Sequence, residues 1–102
     1  MVLNDIFKCA SALYEYGFHV NGEIESYNLT GRIPLYQPTY HLNLTHGKEG
    51  VKNNYTYISV EYEHESPLHI VYDPKKLSLS FYVRIPVKEI PFKIIGYSMP
   101  LK

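Results

Sequence analysis

The chain has 102 residues, a formal net charge of zero, 45% apolar residues and 11 tyrosines with no tryptophan. This length predicts one globular domain, and the apolar content excludes an intrinsically disordered chain. The single cysteine, Cys9, excludes an internal disulfide, and no apolar run approaches the roughly 18 residues that span a bilayer. We therefore expect no membrane insertion. Because the start lacks the basic and apolar regions of a signal peptide, we expect an intracellular protein.

The first predicted element is a helix that runs to about Tyr16. Apolar residues recur at spacings of three and four, which predicts one buried helical stripe of Leu3, Ile6, Phe7, Ala10, Leu13 and Tyr14. Asn4 or Asp5 can cap the first turn, and Gly17 can end the helix in the left-handed conformation. Cys9 lies among apolar neighbours, where a thiol usually fills space and does not act as a nucleophile.

After this helix the pattern predicts antiparallel strands. Asn21-Gly22 is a strong hairpin signal, which predicts that residues 18–20 fold back on residues 24–29. Residues 40–44 are predicted to return through residues 46–50 and pair with a strand in residues 55–62.

A further hairpin is predicted around the turn Asp73-Pro74-Lys75-Lys76. This turn would place Tyr72 opposite Leu77, Ile70 opposite Leu79 and Leu68 opposite Phe81, with all six side chains on one face.

Two stretches of the chain resemble each other at an offset of 52 residues. Gly31-Arg32-Ile33-Pro34-Leu35 falls on Val83-Arg84-Ile85-Pro86-Val87, and the even offset keeps alternate residues on the same strand face. We therefore predict two similar motifs in tandem, residues 1–52 and 53–102, which together form one domain. The alternative is two unrelated strands that both end at a proline. The predicted fold class is α+β, mostly antiparallel β-sheet with one N-terminal helix.

The two prolines predict either strand ends or sheet edges, because proline cannot donate to a β-ladder. Prolines at such positions also prevent aggregation between edges, which is the alternative role. The functional hypothesis is a groove between the two motifs that accepts an extended peptide as an added strand. Tyrosine is enriched at interfaces, so the predicted wall residues are Tyr27, Tyr36, Tyr40, Tyr72, Tyr82 and Tyr97. For each of them, core or cross-strand packing is the alternative.

Nucleic-acid binding is the second functional hypothesis. From Lys75 onward six basic residues face only one acidic residue, Glu89. Arg84, Lys88 and Lys93 would contact phosphates, and Tyr82 would supply a stacking surface. The net neutrality of the whole chain argues against this hypothesis.

An enzyme that uses histidine and carboxylates is the third hypothesis, and the chain lacks a motif for it. His64, Glu65 and His69 come nearest to a metal-ligand set, but residues five apart on a strand point to opposite faces. Glu61, Glu63 and Glu65 line one strand face and are expected to be solvated. We predict a protein that is not an enzyme, with no catalytic residue, no metal and no cofactor.

The start Met-Val-Leu-Asn-Asp-Ile-Phe-Lys, the length and the paired Arg-Ile-Pro motifs resemble the small proteins of the Acidianus filamentous viruses, which infect archaea of hot acid springs. The resemblance covers the whole chain and implies a viral protein without an enzymatic role. It also implies that the protein acts in the cytoplasm of the infected host cell, with association with the virion as the alternative. The predicted partner is a viral or host protein or peptide, and a homodimer through the same exposed edges is the alternative.

Overall fold

A computed structural model of the protein describes residues 11–45, 48–64, 68–84 and 88–101, and these residues form two antiparallel sheets. The strands are β1 (Ser11–Gly17), β2 (Ile24–Ile33), β3 (Thr39–Asn43), β4 (Tyr57–Glu63), β5 (His69–Asp73), β6 (Ser78–Tyr82) and β7 (Ile90–Ser98). Sheet A has the order β1-β4-β7-β2, and sheet B has the order β3-β6-β5. Both sheets are amphipathic, and along each strand alternate residues are less exposed than their neighbours, most clearly in β5, β6 and β7.

The strand pairing is nested along the chain. β2 pairs with β7 and β3 pairs with β6, so the ribbon of β2 and β3 lies antiparallel to the ribbon of β6 and β7. Each ribbon crosses from one sheet to the other between its two strands. β4 pairs with β7 in sheet A, and β5 pairs with β6 in sheet B. This winding of β2 to β7 is that of a jelly roll, with β1 added to the open side of β4.

The core fills the space between the two sheets. Its fully buried aliphatic side chains come from both sheets and from the connections: Ile33, Leu44, Ile58, Val60, Leu79, Ile90 and Ile94. Aromatic rings join the sheets at two levels, since Phe81 lies 5.3 Å from Phe92 and Tyr16 lies 4.6 Å from Tyr72, measured between ring centroids. The apolar alternation predicted for Leu79 and Phe81 is confirmed.

The predicted α+β class is wrong, because the described residues are all β. Residues 11–17, the second half of the predicted helix, form β1, and the first half lies outside the described residues. Tyr14 and Tyr16 turn toward the core while Leu13 and Glu15 turn outward, which is the period of a strand. Gly17 does adopt positive φ, as predicted, but it ends a strand and not a helix.

The hairpin predicted at Asn21-Gly22 is also wrong. A turn forms there, with the Glu23 amide donating to the Val20 carbonyl at 3.1 Å, but positive φ is confined to Gly22, as in a type II turn. The 18–23 loop does not return beside β1. It crosses the ends of β4 and β7 and leads to β2 at the opposite edge of sheet A.

The other two predicted hairpins have different outcomes. The pairing of residues 40–44 with residues 55–62 is wrong, since β3 pairs with β6 while β4 pairs with β1 and β7. The hairpin around residues 73–76 is confirmed as β5 and β6, but its register is shifted by two residues, with Tyr72 opposite Leu79. The turn takes in Leu77, which has positive φ, and the even shift keeps the predicted face buried.

The two predicted motifs contribute strands to both sheets. Pro34 directly follows the end of β2, as expected of a strand-terminating proline, whereas Pro86 lies outside the described residues. Because β2 pairs with β7 and β3 with β6, residue 52 does not separate the two sheets. The division into a first and a second motif stays a prediction.

Candidate functional site

The six tyrosines predicted to line a peptide groove do not share one surface. Tyr27, Tyr40 and Tyr72 turn toward the space between the sheets. Tyr40 packs its ring 6.0 Å from that of Phe92, and only 7% of Tyr72 is exposed. These three tyrosines pack in the core, which is the alternative that the sequence left open.

The other three tyrosines lie on separate parts of the surface. Tyr36 is 69% exposed in the connection from β2 to β3 and has positive φ. Tyr82 lies on the outer face of sheet B, and Tyr97 lies on the outer face of sheet A, where the ring of His19 is 5.2 Å away. No single groove brings these side chains together within the described residues.

The three basic residues of the nucleic-acid hypothesis are also dispersed. Lys93 lies on the outer face of sheet A, where its cross-strand partners are Glu61 and Thr30. Arg84 and Lys88 are exposed and lie outside the strands, on either side of residues 85–87, which the structure does not describe. Lys93 therefore sits beside a carboxylate and not on a continuous basic strand.

The outer face of sheet A carries an open hollow of about 460 Å³. Its volume falls within the range of small-ligand sites, roughly 300–1,000 Å³. Four strands contribute the outward side chains around it: Leu13 of β1, Glu61 and Glu63 of β4, Pro91 and Lys93 of β7, and Thr30 of β2. The hollow could hold one side chain of a partner, and its lining includes Leu13 of the edge strand β1.

The hollow has an acidic side and a basic side. Glu61 and Glu63 stand next to β1, and Lys93 stands one strand further in. Neither glutamate forms an ion pair with any residue in the described ranges, whereas Arg32 on β2 pairs with Glu89 at 3.7 Å. The carboxylates of Glu61 and Glu63 therefore favour a cationic group on the β1 side of the hollow.

Among the described residues no strand pairs with the outer edge of β1, which presents backbone groups next to this hollow. The Phe18 amide donates to the Thr56 carbonyl at 3.0 Å, which places the even-numbered residues of β1 in hydrogen-bonded pairs with β4. Bonded and non-bonded pairs alternate along an antiparallel ladder. The N–H and C=O groups of Leu13 and Glu15 therefore point away from β4, toward the edge.

The edge of β1 lacks the features that protect the other three edges. β2 has a bulge between Glu25 and Tyr27, and the Lys48 ammonium donates to the Glu25 carbonyl at 2.8 Å. The edge strands of sheet B, β3 and β5, are only five residues long. β1 has seven residues, with no bulge, proline or basic residue. Natural edges without such devices readily accept another strand.

A partly buried hydrogen bond holds the Glu15 side chain on the outer face. The Tyr57 hydroxyl donates to the Glu15 carboxylate, and only 8% of Tyr57 is exposed. This bond and burial together raise the pKa of Tyr57 to about 12. Glu15 is therefore fixed beside the free backbone groups of β1.

The 18–23 loop is fastened to sheet A by a second group of polar contacts. The Glu23 carboxylate accepts from the Thr56 hydroxyl at 2.6 Å and from the Val20 amide at 3.1 Å, and it contacts the His19 ring. Burial alone would raise the pKa of Glu23, but these hydrogen bonds outweigh it and lower the pKa. The His19 ring covers Tyr57, with centroids 4.0 Å apart.

The described residues offer little for metal or acid-base chemistry. Among them no group of three or more histidine, cysteine, aspartate or glutamate side chains is placed to hold a metal ion. His41 shares a hydrogen bond of 2.8 Å with Ser80, but no acidic side chain of the described chain orients this imidazole. The described part of the chain also holds no helix with the length and apolar character needed to traverse a bilayer.

Sequence reasoning missed the β1 edge because it assigned this segment to a helix. The signal that could have located it is the alternation of Ala12, Tyr14 and Tyr16 with Leu13 and Glu15. Glu61 and Glu63 were correctly placed on one strand face. Their position beside β1 depends on a long-range pairing that no local pattern reveals.

Comparisons with known proteins add no relative: no family model, no curated protein and no solved structure matches this chain.

Proposed function

We propose that the protein is a non-enzymatic binding module that captures an extended peptide as an added strand at the free edge of β1. The observation that carries this proposal is the unprotected, seven-residue edge of β1 beside the hollow on the outer face. Strand addition of this kind takes affinity from main-chain hydrogen bonds and specificity from pockets for alternate side chains. The jelly-roll winding itself serves many functions and does not decide among them.

The main-chain part of the proposed site is the pair Leu13 and Glu15. Their outward N–H and C=O groups would bond the peptide backbone in register with β1. The peptide's alternate side chains would then lie on the outer face, next to Leu13, which is 54% exposed. An apolar peptide side chain would cover this leucine.

The chemistry of the hollow indicates a cationic side chain in the peptide. Glu61 and Glu63 have no ion-pair partner in the described residues, and Glu15 adds a third carboxylate on the same face. Lysine or arginine can reach such carboxylates while its aliphatic stem packs on Leu13. We therefore expect the partner to be an extended segment, from a viral or host protein, that carries an apolar and a basic residue two positions apart, so that both side chains lie on the outer face.

The proposal can be tested by selecting binders from a displayed library of random peptides of about eight residues, a length matched to β1. Selected peptides should share an apolar and a basic residue two positions apart. Leu13→Pro should then weaken their binding at least about tenfold, because proline removes an outward N–H and its ring obstructs the edge. The variant should remain folded, since the lost N–H is not part of the ladder with β4.

Two control variants separate lost binding from lost folding. Leu13→Ala keeps the N–H and should bind with a smaller loss than Leu13→Pro. Tyr14→Pro removes an N–H that bonds β4 and should destabilise the fold by about 2 kcal/mol or more. Selection of no peptide family, or equal binding by the Leu13→Pro protein, would contradict the proposal.

A second copy of the chain could also supply the added strand. Sedimentation of the free protein distinguishes this case from peptide capture. A monomer supports the peptide proposal, whereas a dimer that Leu13→Pro dissociates would replace it with self-association through β1.

A further inference from the structure

The outer face of sheet B carries a row of three aromatic rings, one from each strand. Tyr82 of β6 lies at the centre, with its ring centroid 6.1 Å from that of His41 on β3 and 5.6 Å from that of His69 on β5. Tyr82 is 39% exposed, and both histidines are exposed. By contrast, Tyr57 on the outer face of sheet A is covered by His19.

The polar groups around this row suit an anionic ligand with hydrogen-bonding edges. Ser80 shares a hydrogen bond of 2.8 Å with His41 and lies on the same face as Tyr82. Exposed Arg84 follows two residues after Tyr82 along the chain. Arginine and protonated histidine both donate charge-assisted hydrogen bonds to phosphate oxygens.

Acidic groups are sparse on this face. The outward residues of the three strands include one carboxylate, Asp73, which pairs across the ladder with Ser78 at the far end of the β5-β6 hairpin. Ser78 lies four residues from Tyr82, roughly 13 Å along the strand. Lys75 and Lys76 follow Asp73 in the turn and offset its charge.

We propose that the row of His41, Tyr82 and His69 is a stacking site for unpaired bases of single-stranded nucleic acid, with Arg84 and the two histidines facing its phosphates. Bases stack on exposed aromatic rings with little dependence on sequence, and nearby positive charge holds the backbone. The positive charge favours this ligand over a purely apolar peptide, and the row of exposed rings favours stacked bases over an acidic peptide. This site is separate from the peptide edge at β1, so either proposal can fail without the other.

The test is fluorescence anisotropy of a labelled oligothymidine of about 12 nucleotides, titrated with the full chain at low and high salt. We expect binding that weakens as salt rises, because phosphate contacts release counterions. Tyr82→Ala should weaken binding about tenfold or more, whereas Tyr82→Phe should keep most of the affinity, since stacking needs the ring and not the hydroxyl.

The pH dependence gives a second readout. Histidine changes charge between about pH 5 and 8, so binding should strengthen as pH falls through this range. Among the described residues, the other charged groups on or beside this face are Asp73, Lys75, Lys76 and Arg84. A variant with both His41→Asn and His69→Asn should lose this pH dependence and keep the contribution of Tyr82.

Tyr36→Ala is the matched control, because Tyr36 is an exposed tyrosine outside the row. It should leave oligonucleotide affinity unchanged. The proposal would be overturned by an absence of binding at low salt and acidic pH, or by equal losses in the Tyr82→Ala and Tyr36→Ala proteins. Circular dichroism and thermal unfolding establish that each variant is folded. If the Tyr82→Ala protein does not fold, His69→Ala tests the same row of rings.

Discussion

Two buried tyrosines of the core have different hydrogen-bonding states. Tyr55 and Tyr72 are each only 7% exposed, and their rings pack edge to face with centroids 6.3 Å apart. The Tyr55 hydroxyl donates to the carbonyl of fully buried Leu44. The Tyr72 hydroxyl has no partner within the described residues, and burial, followed by the effect of Tyr16, raises its pKa to about 12.

This difference predicts opposite outcomes for removing the two hydroxyls. Tyr55→Phe removes the donor to the Leu44 carbonyl in the core and should lower the free energy of unfolding by about 1–3 kcal/mol. Tyr72→Phe removes a group that gains nothing from burial, so it should be neutral or stabilise by up to about 1 kcal/mol. Urea unfolding measures both. An equal loss in the two variants would mean that the Tyr72 hydroxyl has a partner.

At the scale of elements, the 18–23 loop is expected to be weakened by acid. Since its folded pKa is lowered, Glu23 stabilises the fold above the unfolded carboxyl value of about 4.3, and this contribution disappears as pH falls through the folded pKa. Glu23→Gln should therefore lower Tm at pH 7, and the difference from the unmodified protein should shrink below about pH 4. Thermal unfolding across this pH range measures it.

Glu49→Gln is the charge-matched control, because Glu49 lies exposed in the turn before Val51. It changes the net charge by the same amount without touching the 18–23 loop. A Tm difference for Glu23→Gln that stays constant down to pH 3 would show that the carboxylate does not fasten the loop.

Strands with a local signature could be predicted, and the others could not. β4 and the β5-β6 hairpin follow from β-branched and aromatic residues and from a turn between adjacent strands. β1 was misassigned because Leu13 and Tyr14 also fit helical spacing, and a seven-residue strand is too short to separate the two periods. The turn at Asn21-Gly22 was predicted correctly. The predicted hairpin does not form, because β2 instead pairs with β7 from Ile24 to Ile33.

At the scale of the whole molecule, the two outer faces of the sandwich differ in charge. The outer face of sheet A carries Glu15, Glu25, Glu61 and Glu63 against Lys93 and Arg32, whereas that of sheet B carries two histidines and one aspartate. The sequence shows a neutral chain and a mild charge difference between its halves. The faces could not be predicted, because each sheet draws strands from both halves and alternate residues point to opposite sides.

The nested pairing of β2 with β7 has a consequence for how the chain is made. Among the described strands, only β5 and β6 are both consecutive and paired, so they alone can form a local hairpin during synthesis. β2 must wait for the last strand to emerge from the ribosome before it finds its partner. We expect slow refolding, in the range of milliseconds to seconds that non-local β-topologies show, and stopped-flow fluorescence of the tyrosines measures it. Until β7 has emerged, the nascent chain is expected to expose the apolar faces of both ribbons, and such exposed surface is prone to aggregation.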